Sequence, residues 1–154
     1  HATKVFTTAE GGALVTTHPE IDRSARLLKN FGIVNCKSLI ASYPHQMPRK
    51  FDRHFIRGVH DGDGCITFTT CPTISFTGTD TLLMECARKF KDIGVHLKSG
   101  NEIPPFQYKW KNKVGQLHYS GKNAKLILDW LYRGTDDKER MTRKYEKYLI
   151  LYHS

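Results

Sequence analysis

The chain has 154 residues, 39% hydrophobic and 25% charged, which is ordinary for a compact globular domain with a real core. No apolar run approaches the ~20 residues that a membrane helix needs, so no membrane-spanning helix is expected. A formal net charge of +9 favours a polyanionic partner, although a merely basic protein would carry the same charge.

Cysteine spacing and the chain start bear on compartment and processing. Cys36, Cys65, Cys71 and Cys86 lack the paired spacing of a zinc site, which favours free thiols in a reducing, intracellular compartment. The chain begins at His1 with no initiator methionine and no signal-peptide pattern, which is typical of a fragment or a processed product.

The first third of the chain predicts two strands, a helix and a linker. Strands over 4–9 and 13–18 flank a Glu-Gly-Gly turn signal. A helix follows over 19–32, opened by proline and closed by glycine. A polar, proline-punctuated linker covers 35–48. We therefore expect an N-terminal segment of residues 1–47 and a main domain of residues 48–154.

A faint internal repeat relates the two parts. Gly12-x-Leu14 and Gly115-x-Leu117 each lead through a strand into a helix at equal offsets. The segment 1–34 is therefore also interpreted as the tail of a preceding copy of the main unit.

The main domain opens with an amphipathic helix. Pro48 can begin it because its missing N–H costs nothing in the first turn. Phe51, Phe55 and Val59 recur at helical spacing and form an apolar stripe. Glycines then close the helix before residue 65.

Two carboxylates, Asp61 and Asp63, stand at the C-terminal end of this helix. That end carries the negative pole of the helix macrodipole, so acids there destabilise unless a cation is present. A divalent metal with oxygen ligands is the expected cation, with the carbonyl of Gly62 as a further ligand.

The pattern then changes to period two, with helices between pairs of strands. Cys65–Thr69 and 73–77 form the first pair, and 106–111 and 116–120 the second. Helices are predicted over 80–93, from about 122 to 132, and from about 137 to 152. Each strand has one apolar and one polar face, and the polar faces lack Asp and Glu. A solvated face would alternate in the same way, but the missing acids favour contact with phosphates and base edges. The residues expected to read DNA are Thr67, Thr69, Thr73, Ser75, Gln107, Lys109, Lys111, Gln116 and His118.

The run Ile56-Arg-Gly-Val-His-Asp-Gly-Asp-Gly64 resembles the signature of the LAGLIDADG homing endonucleases. The lead-in Arg53-His-Phe-Ile-Arg-Gly58 and the ending 128–147 resemble the same family. The resemblance implies an α+β domain of αββαββα order, with a curved antiparallel sheet forming a saddle in the DNA major groove.

The resemblance also implies an activity, the site-specific cleavage of double-stranded DNA with Mg²⁺ or another divalent cation such as Mn²⁺. Asp63 matches the family's metal-ligating acid, while Asp61 is a further ligand or a structural acid. Arg143 and Lys144 match the family's basic catalytic residues, with Lys37 as another candidate. Gly78 departs from the family's polar residue at the second strand end, which puts the completeness of the site in doubt.

One motif supplies half of a paired active site in this family. The resemblance therefore implies a second copy, either as a homodimer subunit or as a missing N-terminal half. Gly58 would let two such helices cross closely, with Phe55 and Val59 beside it. The alternatives are a non-cleaving nucleic-acid-binding protein of the same fold, such as an RNA maturase or a transcription regulator, and a basic structural domain. The element could come from an intron or an intein.

Overall fold

The computed structural model describes residues 4–8, 11–15, 17–20, 23, 40–97, 107–109 and 114–153, with backbone alone for the strands 4–8, 11–15 and 107–109 and for residues 152–153. Helices and antiparallel strands are mixed, so the predicted α+β class is confirmed. The elements in chain order are β1 (Lys4–Thr8), β2 (Gly11–Val15), a 3₁₀ turn (Arg49–Phe51), α1 (Asp52–Asp63), β3 (Cys65–Phe68), β4 (Pro72–Gly78), α2 (Asp80–Asp92), β5 (Gln107–Lys109), β6 (Val114–Ser120), α3 (Gly121–Tyr132) and α4 (Thr142–His153).

Two N-terminal strands form as predicted, but the second runs over Gly11–Val15 rather than 13–18, so both glycines of the predicted turn lie in the strand. β1 and β2 pair antiparallel, with Lys4 opposite Val15 and Thr8 opposite Gly11. Residues 19, 20 and 23 are helical, and the rest of the helix predicted over 19–32 lies outside the described residues.

The main sheet has the strand order β3-β4-β6-β5, with every neighbouring pair antiparallel. Its apolar face follows from the period-two pattern, because register partners point to the same side of a sheet. Ile66, Ile74 and Tyr119 form one buried row, and Phe76 lies opposite Leu117 in the next. Burying each such side chain contributes about 1.5–3 kcal/mol, so this face is the main source of stability.

Helices supply most of the rest of the core, including buried Tyr148 of α4. The largest fully buried side chains from α1, α2 and α3 are Ile56, Leu83, Phe90, Ile127, Leu128, Leu131 and Tyr132. α2 and α3 are each followed by a glycine with positive φ, Gly94 and Gly134, a conformation that glycine adopts without strain. Within the described part of the chain, no helix is long and apolar enough to cross a membrane.

Two helices begin later than the sequence predicts. Pro48 opens a 3₁₀ turn, accepting a hydrogen bond from the Phe51 amide, and the α-helix begins only at Asp52. Residues 136–141 precede α4 as a turn. The carboxylate of Asp136 accepts hydrogen bonds from two backbone amides, and this competes with a helical start.

A polar contact fixes the linker to the main domain. The Tyr43 hydroxyl donates to Asp52 on α1, whose other oxygen lies 2.7 Å from the Lys89 amine on α2. Burial, reinforced by Asp52, holds the pKa of Tyr43 well above its ordinary value. The linker therefore joins α1 and α2 through one buried carboxylate.

Candidate functional site

The second face of the main sheet, here called the polar face, consists of three aligned rows. Register places Thr67 with Thr73 and Ser120, Cys65 with Ser75 and His118, and Thr77 with Gln116 and Gln107. Gln116 donates to the Thr77 hydroxyl across the strands at 3.1 Å. The described side chains here range from buried to exposed, with Ser75 buried and Thr67 exposed.

Most residues predicted to read DNA fall on this face. Thr67, Thr73, Ser75, Gln116 and His118 occupy β3, β4 and β6. Thr69 does not, because β3 ends at Phe68. Gln107 and Lys109 lie in β5, for which the backbone alone is described, and Lys111 and Lys37 lie outside the described residues.

The two acids at the end of α1 differ in environment. The carboxylate of Asp61 accepts hydrogen bonds from the Tyr132 hydroxyl at 2.6 Å and from the Met141 amide at 3.0 Å. Asp63 and Gly62 are exposed. Asp61 thus joins α1 to α3 and to the start of α4, the structural alternative that the sequence left open.

A lysine supplies the cation that the end of α1 requires. The Lys144 amine on α4 donates to the carbonyls of His60 and Gly64, and its side chain is buried. Burial, together with neighbouring Arg143, lowers the pKa of Lys144 from its ordinary value. An ammonium group therefore stands at the negative pole where the sequence had predicted a divalent metal.

Three cations line a small pocket beside β3. Arg143, Lys144 and Lys147, here called the basic cluster, face Gly64, Cys65 and Ile66. Lys147 donates to the Ile66 carbonyl at 3.1 Å, which ties α4 to the β3 edge. The first turn of α4 contains no acidic residue, so Arg143 and Lys144 add their positive charge to the positive N-terminal pole of the helix. The basic cluster borders the polar face and is suited to an anion.

His60 is a core residue, with no solvent exposure. Its Nδ1 lies 2.7 Å from the Tyr132 hydroxyl, which donates its own proton to Asp61. The Nδ1 atom of His60 therefore carries a proton and donates it to the Tyr132 hydroxyl. Burial, assisted by Lys144, lowers the pKa of His60 to about 3.

One side of α1 has open space along it. A Cβ added at Gly58 or Gly62 would meet no atom within 4 Å. Phe55 and Val59 are half-buried against the core of their own chain. The close helix crossing predicted for Gly58 needs a second copy of α1 and stays a prediction.

Three contributors were missed from the sequence. Arg57 and Tyr132 are buried and hydrogen-bonded between elements, and Lys147 reaches the β3 edge. The spacing of Arg53, Arg57 and Asp61 at successive helical turns was the available signal. Gly78 ends β4, where an added Cβ would stand 3.1 Å from Leu82.

Comparison with known proteins gives one family match. The model of the DegT/DnrJ/EryC1/StrS aminotransferase family matches residues 1–49. No curated protein matches the chain. The match covers less than a third of the 154 residues and ends just before α1.

This match overturns the family prediction. The matching family is an aminotransferase family rather than the LAGLIDADG homing endonucleases, so that assignment was wrong. The endonuclease function, the classification as a Mg²⁺-dependent phosphodiester hydrolase and the intron or intein origin were wrong with it. The alternatives of an RNA maturase or a transcription regulator depended on the same family assignment.

The cofactor prediction of Mg²⁺ or Mn²⁺ was also wrong, because the aminotransferase match points to pyridoxal phosphate. The geometry gives a physical reason. Lys144 occupies the carbonyl end of α1, and Asp61 is engaged by Tyr132 and Met141. Among the described residues, no three His, Cys, Asp or Glu side chains are grouped to hold a metal ion. The metal role predicted for Asp63 depended on that cofactor, and the catalytic roles predicted for Arg143 and Lys144 depended on the overturned activity.

Proposed function

We propose that residues 1–49 are an aminotransferase segment and that the activity of the protein is amino-group transfer. The family match over these residues is the observation that supports the proposal. The end of the match at residue 49 also supports the predicted boundary between residues 1–47 and 48–154.

Enzymes of this kind typically use pyridoxal phosphate, which a lysine holds as a Schiff base and which serves as an electron sink. Side chains are described within residues 1–49 for 17–20, 23 and 40–49, and none is a lysine. These side chains do not fit the cofactor by themselves. The lysines of the segment are Lys4, Lys29 and Lys37, and Lys4 begins the paired strand β1.

Reductive trapping tests this proposal directly. The full chain would be incubated with pyridoxal phosphate, reduced with borohydride and mapped by mass spectrometry, and amino transfer from an amino acid to a 2-oxo acid would be assayed in parallel. The expected result is a label on Lys4, Lys29 or Lys37, lost when that lysine is replaced by alanine. Label spread evenly over exposed lysines, with no amino transfer, would refute the proposal.

We propose as a second candidate that the polar face binds double-stranded DNA. The aligned rows of hydroxyl, amide and imidazole side chains support it, because these groups can hydrogen-bond base edges and phosphates. The basic cluster at the β3 edge and the net charge of +9 support it further. Arg143 and Lys147 are exposed, so both can reach a phosphate backbone.

Fluorescence anisotropy with a labelled duplex tests the second candidate. Affinity should fall linearly on logarithmic axes as salt rises, with a slope of about −0.9 for each phosphate contacted. Arg143→Ala and Lys147→Ala should each reduce that slope by about one. Lys122→Ala is the matched control, because it removes one exposed positive charge from α3. A flat salt response, or equal effects of all three variants, would exclude this interface.

A further inference from the structure

One line of side chains on α1 holds the connection between α3 and α4. Arg53, Arg57 and Asp61 are four residues apart, so they lie on the same side of the helix. All three make hydrogen bonds with backbone groups at the end of α3 or in residues 133–141. The backbone partners are Arg133 O for Arg53, Glu139 O (2.8 Å) and Leu131 O (3.2 Å) for Arg57, and Met141 N (3.0 Å) for Asp61.

Arg57 is the central and most buried member of this line. Its side chain is 3% exposed, and its guanidinium also lies 3.7 Å from the Glu139 carboxylate and 3.0 Å from His54 Nδ1. A planar fork with five N–H donors can serve acceptors that lie further apart than the three donors of a compact lysine amine can reach. Because it is enclosed, Arg57 cannot itself contact a large polyanion.

The connection between α3 and α4 that α1 binds is followed directly by the basic cluster. Met141, whose amide is bound by Asp61, is the residue before α4 begins. Arg143 and Lys144 lie in the first turn of α4, and the Lys144 amine is bound to the carbonyls of His60 and Gly64 at that same C-terminal end of α1. The start of α4 is therefore fixed against the C-terminal end of α1 by two sets of contacts, one to Asp61 and one from Lys144.

We propose that Arg57 is a positioning residue for the basic cluster. It fixes residues 131–139, and this places Arg143 and Lys147 along the β3 edge with Lys144 buried between them. The role in DNA binding rests on the second candidate function, while the placement of Lys144 does not depend on it.

The first test measures the reactivity of Lys144 in the full chain. Acylation by an N-hydroxysuccinimide ester, followed by mass spectrometry, reports how often the Lys144 amine leaves its buried place. Labelling should be slow in the wild type, at least tenfold faster in Arg57→Met and intermediate in Arg57→Lys. Arg88→Met is the control, since it removes an exposed arginine from α2. Circular dichroism verifies that each variant is folded. If Arg57→Met is unfolded, the labelling rate of Arg57→Lys decides the test.

The second test measures DNA affinity against salt for the same variants. Arg57→Met should reduce the salt slope by about two, although Arg57 touches no phosphate. In an Arg143→Ala/Lys147→Ala background it should reduce the slope no further, because it acts through those residues.

The outcomes separate the two proposals. Unchanged Lys144 labelling in the folded Arg57 variants would overturn the positioning role, whatever the DNA result. Additive slope losses in the combined variant would overturn it as well. Fast labelling of Lys144 in Arg57→Met, combined with a wild-type chain that binds no DNA, would support the positioning role and reject only the DNA interface.

Discussion

The buried histidine on α1 should make the stability of the main domain depend on pH. His60 has a pKa of about 3 in the folded chain, against about 6.5 when it is exposed by unfolding. Between these values the unfolded state binds more protons than the folded state. The free energy of unfolding therefore falls as pH falls, beginning near pH 6.5 and continuing toward pH 3.

The magnitude follows from the two pKa values. At pH 5 the unfolded imidazole is almost fully protonated and the folded one almost fully neutral. The loss relative to neutral pH is then about 2 kcal/mol, from 1.36 kcal/mol for each pH unit below 6.5. That is a large part of the 5–15 kcal/mol stability typical of a domain.

Urea unfolding at pH 7 and pH 5, followed by tryptophan fluorescence, to which half-buried Trp130 contributes, measures this loss. His60→Gln is the matched variant, because an amide can meet the Tyr132 hydroxyl but does not titrate. Carboxylates elsewhere affect both proteins equally, so the difference between their pH dependences isolates His60. If the wild type and His60→Gln lose the same stability between pH 7 and pH 5, the linkage to His60 is refuted.

Three further predictions concern stability and assembly. Gly64→Ala should destabilise the main domain by about 1–3 kcal/mol or more in urea unfolding, because its Cβ would stand 2.2 Å from the His60 ring. Gly62→Ala, where an added Cβ meets no atom within 4 Å, should be neutral or stabilising in the same assay. Asp52→Asn should lower the free energy of unfolding by about 1.5–3 kcal/mol, because it weakens the contacts of a buried carboxylate. The exposed control Asp137→Asn should lower it by less than about 1 kcal/mol, and similar losses for both variants in calorimetry would contradict the prediction. Self-association through α1 should be weakened by Gly58→Leu without loss of the fold, and a wild-type chain that sediments as a monomer at micromolar concentration would exclude it.

Local patterns in the sequence predicted most of the secondary structure that the described residues show. The alternation of Ile74 and Phe76 with Thr73, Ser75 and Thr77 predicted β4 and its two faces, and the structure has both. Such patterns succeed because strand side chains alternate by geometry and one face must leave water. Helix starts were less certain, since Asp136 can satisfy backbone amides outside a helix.

Function could not be taken from a short motif. Nine residues ending at Gly64 suggested a metal-dependent nuclease, yet the family match lies at residues 1–49. A carboxylate in a sequence does not show its partners. Asp61 could have bound a metal or a hydroxyl, and only the fold brings Tyr132, 71 residues away, to it.

The sequence by itself determined the net charge, the two-faced strands and the amphipathic helices, because these depend on composition and on spacing within one element. Tertiary structure alone decided which groups meet. It placed the Lys144 amine at the end of α1, buried Arg57 under the α3–α4 connection and enclosed His60 beside Tyr132. These contacts join residues more than 70 positions apart, and no local periodicity encodes them, because they exist only once the sheet has brought α1, α3 and α4 together.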